Sequence, residues 1–244
     1  PFSSQWLYGD LVFVVDPWIW LILGAAVVWL TTTNAARTLF WLVIGIALSL
    51  VVALALRHPY GPNPLIVPTA ARVIWFAGLA VIILGTLLRW GRGGERLARY
   101  SLFLLALYYG GMWMAHQSAI KQARNSLKVE EVTSVAAWPA PANPFLWQAA
   151  ATTGDAVYVS NIDLFNRRED WHELPALDPK LTAVLRTSNE ARSFLDFMRY
   201  GTADVEQRPD GTTVVALRDL RFDLRMQVQL DSELKITDVA MRWF

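Results

Sequence analysis

Two carboxylates stand in an otherwise apolar and aromatic stretch at the start of the chain, at Asp10 and Asp16. A carboxylate is costly in such surroundings unless a cation pairs with it or hydrogen bonds satisfy it. Asp16 directly precedes Pro17, an arrangement typical of a residue that caps a helix begun by proline. No helix start explains Asp10, whose side chain is either a structural polar contact or a ligand in a site. Both aspartates are therefore candidate functional residues.

Histidine is scarce in this chain, and its three histidines, His58, His116 and His172, do not have the spacing of paired metal ligands. His116 lies in an apolar stretch, where an ionisable group is a functional candidate. Its position near the predicted end of a helix favours an interfacial or hydrogen-bonded role instead. His172 lies in a charged segment that we interpret as a solvated loop. The absence of cysteine excludes disulfides, thiolate catalysis and cysteine-ligated metals.

Long apolar segments in the first half of the chain must position these residues. A helix that crosses the ~30 Å hydrocarbon core of a membrane needs roughly 17–25 mainly apolar residues. Stretches without Asp, Glu, Lys or Arg, bordered mostly by arginine and with tryptophan near their ends, occur at Pro17–Leu30, Leu39–Leu56, Val73–Leu88 and Tyr100–Ile120. The sequence therefore predicts a membrane α-helical bundle of about four transmembrane helices in residues 1–125. A buried bundle in a large soluble protein is the less favoured alternative.

The charge distribution separates two unlike halves. Residues 1–125 contain nine Lys/Arg against three Asp/Glu, a balance of +6, whereas the remainder contains 13 against 18, a balance of −5. The soluble half lacks an arginine- and lysine-rich patch interleaved with aromatics, so we expect no nucleic-acid partner. Four arginines in the connection from Arg89 to Arg99 predict a cytoplasmic loop by the positive-inside rule. The soluble half then lies on the opposite face, although Arg57 and Arg72 argue for the reverse orientation.

Residues 126–244 have the pattern of a small soluble α+β domain with an antiparallel sheet. Prolines at positions 139, 141 and 144 indicate a linker, and Phe145–Thr153 and Ala156–Asn161 have the composition of strands. Asp178 before Pro179 indicates a helix start, and Ser188 begins a second helix that Gly201 ends.

The last third of the chain has clear turn and strand signals. Pro209-Asp210-Gly211 is typical of a turn between two strands. Arg225–Leu230 alternates between apolar and polar residues, and Asp231-Ser232-Glu233 is expected to turn it into a strand over Leu234–Phe244. The apolar phase shifts between Ile236 and Val239, which predicts a β-bulge near Thr237.

The beginning of the chain resembles a segment of the bacterial inner-membrane metal-dependent hydrolases, also described as LexA-binding membrane proteins. In that family Pro-Phe-Ser is followed by an aspartate, an apolar stretch and an Asp-Pro that opens a helix. The matching residues here are Pro1, Phe2, Ser3, Asp10, Asp16 and Pro17. The stretch Asn143–Trp147 is also similar to the family's downstream region. The family's segment follows a histidine-rich part with a His-Arg-Gly-x-Thr-His-Ser type of motif, and this chain contains no such part.

The resemblance implies a fragment of a membrane-bound metal-dependent hydrolase. A divalent metal ion, zinc or manganese, would activate water to attack an ester-like bond. Asp10 and Asp16 would bind the metal or orient its ligands as catalytic residues, and most ligands would lie outside this chain. The resemblance also implies a protein of the bacterial inner membrane. With the apolar segments and the arginine cluster, this predicts a multi-pass protein whose soluble domain lies on the extracytoplasmic face.

A second hypothesis is non-catalytic. The helices would contact membrane lipid and anchor a soluble domain that binds a protein partner, and the aspartates would be structural. The scarcity of histidine and of paired carboxylates favours this alternative. A transporter ranks last, because the apolar segments lack the charged residues that mark a transport path.

Overall fold

A computed structural model describes residues 9–13, 16–55, 68–90, 94–166, 169–222 and 224–242, without the side chains of residues 51–55 and 242. These residues form six helices and eight strands. The helices are α1 (Pro17–Thr31), α2 (Ala35–Ala55), α3 (Thr69–Leu87), α4 (Glu95–Ser126), α5 (Pro179–Leu185) and α6 (Asn189–Phe197). The strands are β1 (Ser134–Ala140), β2 (Asn143–Thr152), β3 (Ala156–Asp163), β4 (His172–Pro175), β5 (Gly201–Gln207), β6 (Thr213–Asp219), β7 (Arg225–Leu230) and β8 (Ile236–Arg242).

The predicted bundle of four transmembrane helices followed by one small α+β sheet domain is wrong. In the described part of the chain, α3 alone is long and apolar enough to cross a membrane by length and composition. α1 has 15 residues, because Asp16 and Pro17 begin it and Thr32 caps its end. Its length of about 22 Å is shorter than the ~30 Å hydrocarbon core. The second half of the chain contains two antiparallel four-stranded sheets, ordered β1-β2-β3-β4 (sheet A) and β5-β6-β7-β8 (sheet B).

Helices α1 to α4 form a helical layer in which α1 contacts the other three. Close approach of α1 to α3 depends on glycine, since a Cβ at Gly78 would lie 2.8 Å from Leu21 Cδ1 and one at Gly85 would lie 2.5 Å from the Trp29 ring. The Trp29 indole N–H donates to the carbonyl oxygen of Ile82 at 2.8 Å. These contacts show that α1 and α3 run in the same direction, with their C-terminal ends at the same end of the layer.

The helical layer exposes many large apolar side chains, although it also buries Trp75 of α3. Its buried positions include small or polar residues such as Ala26, Ala71 and Ser101. Its exposed positions include large apolar side chains on three helices: Leu39, Phe40, Val43, Ile46 and Leu50 of α2, Val73, Ile74, Phe76, Ile83 and Leu87 of α3, and Leu102, Phe103, Leu104 and Leu107 of α4. Many exposed apolar side chains on neighbouring helices are typical of a surface that contacts another protein or a membrane.

Helix α4 is one continuous helix of 32 residues that belongs to both halves of the molecule. Its first half exposes the large apolar side chains of the helical layer. Its second half packs against sheet A, where Ala119 and Ala123 are fully buried among Ala137, Trp147 and Ile162. One side of the second part of the predicted membrane segment at Tyr100–Ile120 therefore covers a sheet, while Trp113 and Met114 on another side are exposed.

Sheet A is buried on both faces. Ala137, Trp147, Ala149 and Ile162 face α4, while Ala136, Trp138, Ala150, Val157 and Val159 face Tyr200 and Leu220. Alanines on β1 and β2 allow the covering elements to approach closely. The linker predicted from the prolines is wrong, because Pro139 lies within β1 and pairs with Trp147. β1 is an edge strand, which tolerates the missing N–H of proline.

Sheet B carries α5 and α6 on one face, over a core that includes Val215, Leu217, Met226, Val228 and Leu230. The predicted helix starts are confirmed: Asp178 accepts from Lys180 N at 2.8 Å and Ser188 Oγ from Ala191 N at 3.3 Å. The turn at 209–211 joins β5 to β6 as predicted. The predicted bulge is also confirmed, because Gln229 pairs with Asp238 but Leu230 pairs with Ile236, leaving Thr237 as the extra residue.

Candidate functional site

Asp10 is held by two arginines from distant parts of the chain. Arg199, between α6 and β5, places Nη1 2.6 Å from Asp10 Oδ2, and Arg221, between β6 and β7, places Nη2 2.9 Å from Oδ1. Arg221 Nη2 also donates to the carbonyl oxygen of Gly9 at 2.8 Å. The segment before α1 is therefore tied to the loops at one end of sheet B. We call this group of residues the Asp10 clamp.

The Asp10 clamp is largely shielded from water. The side chains of Asp10 and Arg221 are 10% and 9% exposed, while that of Arg199 is 37% exposed. Each guanidinium also lies over a neighbouring ring: Arg199 is 5.4 Å from the centroid of Tyr200, and Arg221 is 4.7 Å from that of Phe222. These ring contacts fix the positions of both cations. The clamp supplies the cationic pairing that a carboxylate in apolar surroundings needs.

A second buried carboxylate shapes the loop that presents Arg221. Asp219, which is 1% exposed, accepts a hydrogen bond at Oδ2 from the backbone N–H of Phe222 at 2.9 Å. This bond closes the turn between β6 and β7 around Arg221. Burial raises the pKa of Asp219 above its usual value, while the Phe222 N–H and the nearby Arg221 charge oppose that rise. Asp219 is thus a positioning residue for Arg221.

Asp16 is the N-cap of α1, as the sequence predicts. Its Oδ1 accepts from Trp18 N at 2.9 Å and Ile19 N at 3.3 Å, and its Oδ2 accepts from the Tyr108 hydroxyl at 2.6 Å. Burial raises the pKa of this carboxyl, whereas the hydrogen bonds from Tyr108 and the helix N–H groups lower it. Asp16 therefore ties the start of α1 to the middle of α4.

His116, on the second half of α4, has its ring centroid 5.4 Å from that of Trp147, and burial lowers its pKa. It also lies close enough to the Asp10 clamp that the charge of Asp10 acts to raise this pKa and that of Arg199 to lower it. Its hydrogen bond with the Ala137 backbone agrees with the predicted hydrogen-bonded role, but the predicted position near a helix end is wrong, because α4 continues to Ser126. His172 begins β4 instead of lying in the predicted loop, and its Nε2 is 3.7 Å from Asp170 Oδ2. His58 lies outside the described residues.

The described residues around Asp10 and Asp16 do not fit a metal site. A metal ion bound to Asp10 would sit beside the Arg221 guanidinium, which already lies 2.9 Å from Oδ1, and like charges repel. Oδ1 is buried with no hydrogen-bond donor in the described part of the chain, so its contact with Arg221 is ionic. The oxygens of Asp16 already accept from N–H and O–H donors. Within the described ranges no group of three or more His, Cys, Asp or Glu could hold a metal ion. The metal-ligand role of both aspartates stays a prediction.

Sequence reasoning identified both aspartates but none of their side-chain partners. Arg199, Arg221 and Tyr108 are separated from the aspartates by 189, 211 and 92 positions. The only signal in the sequence was the need of a carboxylate in apolar surroundings for a cation, and that signal does not say which arginine supplies it.

A groove of about 480 Å³ runs between α6 and the free edge of sheet B. Phe194 and Phe197 of α6 form one wall, and Val239 and Met241 of β8 form the other. Glu190 is the only ionisable side chain of its lining among the described residues. Among the described residues its lining is mainly apolar, with Glu190 and Ser193 as the polar members.

Comparison of the chain with protein-family models, with curated proteins and with solved structures finds no match. The resemblance of the first 17 residues to the membrane hydrolase family therefore stays a prediction.

Proposed function

We propose that this protein is a non-catalytic membrane anchor that holds a two-sheet region at a membrane surface for a protein partner. The observation that carries the proposal is α4, which exposes Phe103 and Leu107 in its first half and buries Ala119 and Ala123 under sheet A in its second. One rigid element thus joins an apolar surface to a folded, water-compatible region. Lipid is the covering that such an apolar surface fits best.

The aspartates support the non-catalytic alternative over the hydrolase. Asp10 is paired with two arginines and Asp16 caps a helix, so each has a structural role that accounts for its burial. Both contacts also fix the region around α1 to the rest of the molecule: Asp10 to the end of sheet B, and Asp16 to α4. An anchor that must hold its cargo in one orientation needs such cross-links.

The anchor has a proposed location and orientation in the cell. The helical layer lies in the bacterial inner membrane, and the sheet region (β1–β8 with α5 and α6) lies on its extracytoplasmic side. The arginine-rich connection before α4 supports this orientation. This orientation requires the first half of α4 to pass through the layer, because the arginine-rich connection precedes α4 and the sheet region follows it.

The test is retention in membranes after a wash with alkaline carbonate. The wild-type chain should stay with the membrane. Lysine in place of Phe103, whose side chain is 61% exposed on α4, should reduce retention, because a lysine in the hydrocarbon region costs about 2.5–3.5 kcal/mol. Val205→Lys is the matched control, since this side chain is similarly exposed, at 53%, but lies on β5.

Release of the folded wild-type chain by carbonate would overturn the proposal. Equal effects of Phe103→Lys and Val205→Lys would also contradict it, because lipid would then not distinguish α4 from the sheet region. The hydrolase alternative is tested on the same membranes with ester substrates. Ester hydrolysis that Asp10→Asn abolishes without lowering the melting temperature would favour the enzyme.

A further inference from the structure

Four arginines gather at one end of the helical layer: Arg37 from the start of α2, Arg89 from the connection after α3, and Arg96 and Arg99 from the start of α4. Arg37 marks this end on α2: its Nη1 donates to the Thr31 carbonyl oxygen at 3.3 Å and to Thr33 Oγ1 at 3.2 Å, at the C-terminal end of α1. α3 ends at the same place, since Trp90 meets Trp29 of α1 edge to face with centroids 5.5 Å apart. Arg89 directly precedes Trp90.

The start of α4 belongs to the same end. Tyr108 meets Asp16 at the N-terminal end of α1, and α4 packs against α1. The 13 residues from Glu95 to Tyr108 span about 20 Å, close to the length of α1. Glu95, Arg96 and Arg99 therefore lie near the C-terminal end of α1. We call Arg37, Arg89, Arg96 and Arg99 the arginine end.

The arginine end carries an excess of exposed positive charge. All four arginines are exposed, and so is Trp90. Among the described residues at this end, Glu95 is the one acid, and it lies 2.8 Å from Arg99. The opposite end of the helical layer lacks this concentration of exposed arginines among the described residues. It holds the buried Asp16, Arg72 at the start of α3, and the contact with sheet A.

We propose that the arginine end binds the phosphate headgroups of anionic lipids. The inference rests on the proposed function, because the lipid must already cover the adjacent apolar surface. The planar guanidinium group matches a phosphate with two parallel hydrogen bonds. Trp90 places an amphipathic ring at the depth where headgroups begin. Positive charge and exposed apolar side chains lie next to each other at this end. A bilayer leaflet rich in anionic lipid supplies negative headgroups for the first and acyl chains for the second.

The experiment measures lipid binding by the whole chain in neutral detergent micelles. Native mass spectrometry counts bound phosphatidylglycerol and phosphatidylcholine, two lipids that differ in net charge. The wild-type chain should prefer phosphatidylglycerol, and the preference should weaken with added salt. An arginine near an anionic lipid surface strengthens binding about fivefold, so replacing all four with glutamine should reduce the preference at least about tenfold.

Arg72→Gln is the matched control, since it removes one exposed arginine from the opposite end. It should leave the preference for phosphatidylglycerol unchanged. The single variant Arg96→Gln keeps the test decisive if the fourfold variant fails to fold, and it should lose part of the preference. Excess inorganic phosphate distinguishes a free phosphate site from a lipid surface, because it should displace little phosphatidylglycerol.

An equal affinity for both lipids in the wild type would overturn the inference, and so would a fourfold variant that keeps its preference. Displacement by inorganic phosphate alone would also overturn it in favour of a soluble anion. These outcomes can be distinguished from failure of the anchor proposal. If the chain resists carbonate extraction but shows no preference for phosphatidylglycerol, only the proposal that the arginine end binds anionic lipid is refuted.

Discussion

Replacing Asp10 with asparagine should destabilise the protein by about 2–4 kcal/mol. Asparagine keeps the shape of the side chain but removes the negative charge that pairs with Arg221, whose side chain is 9% exposed. Removing one partner of a buried ion pair costs roughly 3–5 kcal/mol, and the partial exposure of Arg199 reduces that value. For a chain of this size the loss corresponds to a fall of roughly 5–15 °C in melting temperature.

The assay is thermal unfolding in detergent, followed by circular dichroism. Asp196→Asn is the matched control, because it breaks an ion pair with Arg186 of similar length, 2.8 Å, in which both side chains are about half exposed. An exposed pair contributes below about 1 kcal/mol, so this variant should melt close to the wild type.

A double-mutant cycle completes the test. Arg221→Gln should be destabilising alone and should add little to Asp10→Asn, because both remove the same contact. If Asp10→Asn melts no lower than Asp196→Asn, the Asp10 clamp is not a structural cross-link and the reasoning fails. A normal melting temperature combined with lost ester hydrolysis would return Asp10 to the metal-ligand role.

Four further outcomes are expected. Tyr108→Phe should lower the free energy of unfolding by about 1–3 kcal/mol, because it removes the 2.6 Å hydrogen bond to Asp16. The melting temperature measures this loss, and an unchanged melting temperature would show that the helix cap alone satisfies the carboxylate. Burial raises the pKa of Asp219 above its ordinary value of 3.8, so the folded state binds this proton more tightly than the unfolded state does. The stability that the group contributes is therefore present at low pH and falls as the pH rises above about 3.8. Asp219→Asn should flatten this part of a stability–pH curve, and an unaltered curve would exclude the effect. Ala123→Leu should cost about 1–3 kcal/mol by overpacking the α4 contact with sheet A, whereas tolerance would mean that α4 can shift. Reporter fusions after Gly94 and after Phe244 should lie on opposite sides of the membrane, and a cytoplasmic signal from both would contradict the orientation.

The elements that sequence reasoning located correctly are those with a local chemical signal. Asp178 and Ser188 cap helices because their side chains reach the free N–H groups two or three residues ahead. The bulge at Thr237 was visible because sheet B has one helix-covered face, so its strands alternate and a phase shift stands out. Such signals need no knowledge of distant residues.

The errors arose where burial or charge came from distant residues. Sheet A is covered on both faces, so its alanine-rich strands show no alternation, and the prolines near β1 favoured a linker. The apolar run of α4 continues from a surface that we propose meets lipid onto a surface that meets sheet A, and apolar composition alone does not separate these environments. The partners of Asp10 could not be predicted either, because Arg199 lies 189 positions away and nothing local distinguishes it from other arginines.

The shared helix α4 has a consequence for biosynthesis. The chain emerges from the ribosome N-terminus first, so residues 95–126 are made before any strand of sheet A. Helix α4 can therefore be in place, with Ala119 and Ala123 facing outward, when β1 to β3 are released. Each strand then has a ready surface on which to pack, and the alanine-rich hairpin need not wait as an exposed edge open to aggregation. The order of the elements along the chain thus makes α4 a template for the sheet that packs on it.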